Sequence, residues 1–159
     1  HFIDGFPIDE SADYWDTLSE NERNDMIRAY WNRIARMAES RLFDFAGHLD
    51  LYKKFGHGPT VDISRDTDLA LDAIVASGMA VEINTAGWYL PAEEAYPSPA
   101  ILSPCHARGI PILINADAHE PANLTRGFAD GRRLARAAGY SEVVAFADRK
   151  ATMVVRPGV

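Results

Sequence analysis

The sequence has a single cysteine, Cys105, and no long hydrophobic run. One cysteine cannot form a disulfide within the chain, and it fits a reducing compartment. No apolar stretch approaches the roughly 20 residues that a membrane-spanning helix needs, and no signal peptide is visible. We therefore expect a cytoplasmic protein that does not contact a membrane.

The sequence also lacks a basic stripe, and its net charge is −7. This balance argues against binding to the phosphate backbone of a nucleic acid, so no nucleic-acid partner is expected. The chain has 159 residues, of which 47% are hydrophobic and 25% charged, as in ordinary globular proteins. Without a linker, a low-complexity run or a block of charge, residues 1–159 are interpreted as one domain.

Hydrophobic periodicity and capping signals predict helices that alternate with strands. Ser19 and Glu22 match a capping box, Gly78 is placed to end a helix, and Pro104 is expected to kink its helix or delay its start. The predicted helices cover 20–40, 66–77, 98–109 and 122–138, and the predicted strands cover 42–47, 79–84, 110–115, 143–147 and 151–155. Such alternation implies an α/β fold with parallel strands. A complete eightfold barrel needs roughly 250 residues, so a barrel here would be incomplete.

Two of the predicted strands end in polar residues that can bind metal. Asp117 and His119 follow the apolar run 110–114, and side chains two residues apart in extended backbone lie on the same face. His48 follows the strand at 42–47 in the same way. Histidines at the C-terminal ends of two parallel strands are the layout of an active site. An Asp-x-His pair alone is a weak signal.

Glu82 and Asn84 alternate with Val81 and Ile83 along one predicted strand. Because a parallel sheet is covered on both faces, the two polar residues are expected to line the interior. We expect them to form hydrogen bonds rather than to ligate a metal directly.

Five segments resemble the polymerase and histidinol phosphatase (PHP) superfamily, and the histidinol-phosphatase branch most closely. They are 1–9, 43–56, 82–87, 96–98 and 109–119. The resemblance implies a distorted, TIM-like (β/α)₇ barrel with up to three divalent metals at its C-terminal mouth. It also implies hydrolysis of L-histidinol phosphate to histidinol and phosphate, in histidine biosynthesis. The opening His-x-His of the family and further upstream ligands have no counterpart here, so we expect the C-terminal part of such a domain, with the N-terminal strands missing.

The resemblance also implies roles for individual residues. His1, His48, Asp117 and His119 fall on metal-ligand positions of the family, and His48, Asp117 and His119 are the expected catalytic residues. Zn²⁺, Mn²⁺ and Fe all accept imidazole and carboxylate ligands, so the metal stays open. The expected substrate is a small phosphate ester. Its expected binding residues are chosen from their positions along the chain: Lys53 and Lys54 after the His48 strand, Arg126 near the start of the last predicted helix, and Asn84.

Two other functions stay open at this point. One is a PHP phosphoesterase that acts on a nucleotide or a nucleic-acid end, and the other is a non-catalytic metal-binding remnant. His57 is expected to be structural or solvent-exposed rather than to contact substrate, and His106 is expected to have a structural role. A truncated barrel would expose an apolar edge, so we expect low stability or association into a homo-oligomer.

Overall fold

The computed structural model describes residues 1–155 as a mixed α/β fold around a small parallel sheet. The helices and strands in chain order are β1 (Phe2–Ile3), β2 (Phe6–Pro7), α1 (Ala12–Asp16), α2 (Glu20–Glu39), β3 (Phe45–Ala46), α3 (Ser64–Ser77), β4 (Ala80–Asn84), α4 (Pro99–Ala107), β5 (Ile112–Asn115), α5 (Phe128–Ala137), β6 (Glu142–Ala147) and β7 (Lys150–Val155). Short 3₁₀ helices lie at Leu51–Phe55, Thr85–Tyr89 and Pro121–Asn123.

The central sheet has the strand order β3-β4-β5, and both pairs are parallel, as predicted. Strand β3 is shorter than the predicted strand at 42–47. The guanidinium of Arg149 donates to the carbonyl of Leu42 and to the carboxylate of Asp44. The Asp44 carbonyl also accepts the backbone N–H of Ala80 over 3.1 Å, so this side chain and one backbone bond to β4 together hold the residues before β3.

The capping signals predict the first long helix and the end of α3 correctly. The Ser19 backbone N–H donates to the Glu22 carboxylate over 2.8 Å, and the Glu22 N–H donates back to the Ser19 hydroxyl over 3.4 Å. Helix α3 ends at Gly78, which has a φ of +75° and donates its N–H to the Val75 carbonyl. This left-handed conformation suits glycine, which has no Cβ.

Helix α4 begins where the sequence predicts it, whereas α5 does not. Helix α4 begins at Pro99, so Pro104 inside it does not delay its start. Helix α5 begins at Phe128 and not at residue 122, because Gly127 has a φ of +74° and interrupts the helical backbone. The 3₁₀ turn before it contains Pro121.

Strands β6 and β7 form an antiparallel hairpin, which corrects the expectation that all strands are parallel. Only Asp148 and Arg149 connect them, and both have positive φ angles, of +49° and +61°. A parallel connection needs a crossover of a dozen residues or more, so a two-residue turn can only give a hairpin.

The two faces of the sheet pack against different layers. Val81 and Ile83 lie in the apolar clusters formed with helices, which include Trp31, Leu71 and Leu102. The opposite face carries Ala80 and Leu113, which cluster with Val144 and Phe146 of the hairpin. The rings of Phe45 and Phe146 lie 5.9 Å apart. The hairpin thus covers the part of this face that lies away from the C-terminal ends of the strands.

No helix within residues 1–155 is long and apolar enough to cross a membrane.

Candidate functional site

A cavity of about 320 Å³ lies at the C-terminal end of the parallel sheet. We call it the histidine cavity. It is lined by His1, Asp9, His48, Leu51, Lys54, Ala86, Leu90, Tyr96, Asp117, His119 and Arg126. The four residues predicted to bind metal therefore line one cavity, and so do Lys54 and Arg126 of the predicted phosphate-binding residues.

The three parallel strands position the cavity wall. His48, Ala86 and Asp117 each lie two residues beyond the end of β3, β4 and β5 respectively. His48 and Asp117 have φ angles of +28° and +48°. A positive φ is uncommon outside glycine, and such residues cluster at functional sites. The turn at each strand end directs the next side chain to the cavity.

Glu82 connects the ends of the three strands beneath the histidine cavity. Its Oε2 accepts the backbone N–H of His48 over 2.8 Å and the side-chain amide of Asn84 over 3.0 Å. Its Oε1 accepts the amide of Asn115 over 2.8 Å. Glu82 is 6% exposed, and these bonds satisfy both of its oxygens. The predicted hydrogen-bonding role of Glu82 is confirmed.

Asn84 does not line the histidine cavity. It is fully buried, its amide group donates to Glu82, and its Oδ1 accepts the N–H of Ala86 over 2.9 Å. Its backbone also pairs with that of Tyr96, through N···O distances of 2.7 and 3.1 Å. The structure thus places this predicted substrate-binding residue in a supporting position.

The imidazoles of His1 and His119 each have one nitrogen engaged. His119 Nδ1 lies 2.9 Å from the carbonyl oxygen of Asp117, and His1 Nδ1 lies 2.7 Å from Asp9 Oδ2. A carbonyl oxygen can only accept, so Nδ1 of His119 is the donor in this contact, and in the neutral imidazole Nε2 is the nitrogen with a free lone pair. Metal-binding histidines commonly have their second nitrogen held by a carbonyl or a carboxylate in this way.

The donor types at the histidine cavity suit a divalent metal, but the side chains are not gathered into one ligand set. Imidazoles and carboxylates are ligands that Zn²⁺, Mn²⁺ and Fe accept. The rings of His1 and His48 approach with centroids 4.7 Å apart. Within residues 1–155, however, no group of three or more His, Cys, Asp or Glu side chains is close enough to hold an ion. The metal site stays a prediction.

Two residues that line the histidine cavity each have a buried hydrogen-bond donor without a partner among residues 1–155. The two donors are the hydroxyl of Tyr96 and Nε of Arg126. Burial, with the charges of Asp50 and Asp117, raises the pKa of Tyr96, so its hydroxyl stays protonated. The Arg126 guanidinium also stacks on the ring of Tyr89 at 4.2 Å. Unpaired buried donors are costly, and an anion that accepts from both would satisfy them.

Tyr96 lines the cavity but is not predicted as a site residue from the sequence, although segment 96–98 contributes to the family resemblance. A tyrosine before a proline carries no sign that its hydroxyl is unsatisfied. Only the pairing of its backbone with Asn84 places its ring at the cavity wall.

The two adjacent lysines lie in different places. Lys54 lines the histidine cavity and donates to the Asp9 carbonyl over 2.5 Å. Lys53 does not line it. Its ammonium lies 2.9 Å from Asp50 and 2.6 Å from Glu94, in a neighbouring cavity, so the structure does not bring this predicted phosphate ligand to the site.

His57 and His106 both lie outside the histidine cavity, in agreement with the structural roles expected for them. His57 stacks on Trp15 with ring centroids 5.7 Å apart. His106 contacts the edge of Tyr140, with centroids 4.8 Å apart.

No protein-family model matches the chain. A protein of Deinococcus radiodurans named "Probable histidinol-phosphatase" is 35% identical over 153 residues, which are 94% of this chain and 56% of that protein. The crystal structure of a Listeria monocytogenes protein described as a "putative histidinol phosphatase" matches with a TM-score of 0.67 and 22% identity, over 77% of this chain and 51% of that one. The match to the Listeria monocytogenes protein shows similarity of fold alone. The chain spans about half the length of both proteins.

Proposed function

We propose that this chain, a relative of the histidinol phosphatases of the PHP superfamily, contributes the active site of a metal-dependent phosphatase that hydrolyses L-histidinol phosphate. In this proposal the parallel sheet is part of a TIM-like (β/α)₇ barrel, and the histidine cavity is its mouth. The reaction breaks the bond from phosphorus to the ester oxygen. The oxygen of water takes its place, and the alcohol leaves with a proton.

The observation that carries the proposal is the pair of unsatisfied donors at a wall shared with imidazoles. Within the described part of the chain, Tyr96 Oη and Arg126 Nε lack hydrogen-bond partners, and both residues line the cavity that His48 and His119 also line. A phosphate monoester supplies several anionic acceptor oxygens at once. The ammonium of Lys54 adds positive charge at the same wall.

His1, His48, Asp117 and His119 are the residues that would hold the metal. A bound divalent metal supplies a water of lowered pKa and neutralises phosphate charge. Within the chain, Asp9 orients the ring of His1, and the Asp117 carbonyl orients that of His119. Glu82 holds the backbone of His48. Tyr96 and Arg126 donate to the phosphate oxygens and so fix the ester against these side chains.

The test is release of phosphate from L-histidinol phosphate by the purified protein. The protein is first treated with a chelator and then given Mn²⁺, Zn²⁺ or Fe²⁺. We expect turnover with at least one metal, and we expect His119→Asn to lower it by on the order of 100-fold. His57→Asn is the matched control, because His57 lies outside the cavity. An equal loss in both variants, with both folded, would contradict the assigned role of His119.

The phosphate-release assay with other esters, together with a measurement of metal binding, distinguishes the two alternative functions. Faster hydrolysis of nucleoside monophosphates than of L-histidinol phosphate would favour a PHP phosphoesterase acting on nucleotides or nucleic-acid ends. Tight metal binding without turnover of any ester would indicate a non-catalytic metal-binding protein.

A further inference from the structure

A second cavity, of about 440 Å³, lies beside the histidine cavity. We call it the Asp50 cavity. It lies between the segment that follows β3 and the N-terminal turn of α4. Its wall includes Asp50, Lys53, Val61, Ile63, Glu94 and Ile101. Lys53 and Tyr96 separate the two cavities, with the Lys53 ammonium 5.4 Å from the centre of the Tyr96 ring. Nothing in the proposed phosphatase chemistry uses this space.

Asp50 is a buried carboxylate with one unsatisfied oxygen. It is 1% exposed. Its Oδ2 accepts the backbone N–H of Ser98 over 2.9 Å and lies 2.9 Å from the ammonium of Lys53. Its Oδ1 is buried and has no hydrogen-bond partner among the residues that the structure describes. A buried acceptor of this kind favours a ligand that brings a hydrogen-bond donor.

The charge around the Asp50 cavity favours a cationic donor. Asp62, Asp68 and Glu94 also line it. Lys53 is the only positively charged residue among the described residues of its wall. The ammonium of Lys53 already lies within hydrogen-bonding distance of Asp50, of Glu94 and of the Ala95 carbonyl, at 2.9, 2.6 and 2.8 Å. Its three N–H groups are therefore committed, and the remaining field is negative.

The remaining wall of the Asp50 cavity fits the apolar body of an organic molecule. Val61, Ile63 and Ile101 supply aliphatic surface. The cavity volume lies in the range of small-molecule sites, about 300–1,000 Å³. A bare metal ion fits less well, because the described part of the chain gathers no three metal-binding side chains.

We propose that the Asp50 cavity binds a small organic cation, a primary amine with an apolar or aromatic body. Its ammonium donates to Asp50 Oδ1, and its body packs against Val61, Ile63 and Ile101. This site is independent of the proposed phosphatase function, because its ligand carries no phosphate and contacts none of the imidazoles.

Calorimetric titration with 2-phenylethylammonium chloride tests the proposal, with 2-phenylethanol as the uncharged probe of similar shape. We expect saturable binding of the ammonium compound and at least about tenfold weaker binding of the alcohol. Inorganic phosphate should not compete with the amine, which distinguishes this site from the histidine cavity. Equal affinity for the two probes, or no saturable heat up to about 10 mM amine, would overturn the proposal.

Three variants locate the binding. Asp50→Asn removes the charge at nearly constant volume and should weaken amine binding by about tenfold or more. Asp25→Asn makes the same change at an exposed position of α2 and should leave the affinity unchanged. Val61→Trp fills the cavity from its exposed rim, so it tests the location even if Asp50→Asn does not fold. Unchanged amine binding in folded Val61→Trp would overturn the proposed location.

Discussion

Tyr96 lines the histidine cavity, and its hydroxyl is buried without a hydrogen-bond partner in residues 1–155. In the protein without ligand the hydroxyl is destabilising, because a buried unsatisfied donor lowers the free energy of unfolding by about 1–3 kcal/mol. When an anion is bound, the hydroxyl donates a hydrogen bond to it. Stability and binding should therefore change in opposite directions when this hydroxyl is removed.

Tyr96→Phe should raise the free energy of unfolding by about 1 kcal/mol and weaken the binding of inorganic phosphate. Urea denaturation and phosphate titration measure the two effects. Tyr140→Phe is the matched control, because its hydroxyl donates to the Ile110 carbonyl over 3.0 Å, and its loss should lower stability by about 1 kcal/mol. A Tyr96→Phe protein that loses stability and binds phosphate as before would contradict the proposed role of the hydroxyl.

The thiol of Cys105 lies in the core, and burial raises its pKa to about 12. Because the thiolate is the reactive form, the native protein should react with a disulfide reagent such as DTNB far more slowly than the protein in urea. The rate of absorbance change at neutral pH measures this difference. Equal rates in the two conditions would mean that the core around Cys105 opens freely.

The strand-end residues His48, Asp117 and His119 could be found from the sequence, because hydrophobic runs mark the strands and the polar residues follow them. By contrast, the sequence does not predict that Lys53 and Lys54 line different cavities. They are neighbours on a short 3₁₀ helix, whose successive side chains point about 120° apart. Which of them faces the histidine cavity depends on how that helix lies against Asp50 and Asp9.

Among the helices, α2 and α4 both have a serine N-cap but use it differently. Ser19 accepts the N–H of Glu22, whereas the Ser98 side chain makes no capping hydrogen bond. Ser19→Ala should therefore lower the free energy of unfolding by about 1 kcal/mol, and Ser98→Ala should change it little. Urea denaturation of the two variants checks this. Similar losses in both would show that the capping bond of Ser19 adds no stability.

The positions of helices and strands can be predicted where a local signal, such as a capping box or a hydrophobic run, determines them. Helix α2 has its capping box, and the strands of the β6–β7 hairpin lie close to the predicted ranges. The predicted start of α5 and the predicted length of β3 were wrong. Gly127 adopts a left-handed conformation while its Cα lies against Thr85, and a Cβ there would approach Thr85 to 2.9 Å. Arg149 bonds to the residues before β3. Both causes are contacts between residues distant in sequence.

At the scale of the whole molecule, the edge of the sheet at β3 exposes apolar side chains. Leu42, Phe43 and Phe45 are 69%, 52% and 37% exposed. An apolar sheet edge favours pairing with another copy of the chain. We predict concentration-dependent association in sedimentation velocity, reduced by Phe43→Lys. Leu69→Lys, on α3 and 58% exposed in the native protein, is the control and should not reduce it. A single monomeric boundary at all concentrations would contradict this.

The contact of Arg149 with Asp44 joins residues 105 positions apart in the chain, whereas the parallel strands pair across single helical crossovers. Closing the longer loop costs more chain entropy, so this contact should form after the transition state for folding. Arg149→Met should then accelerate unfolding and leave the refolding rate unchanged, as stopped-flow measurements in urea would record. Slower refolding would instead place the closure of the hairpin onto the sheet in the folding nucleus. If the contact between Arg149 and Asp44 forms after the transition state, it slows unfolding, and the lifetime of the native state depends on it.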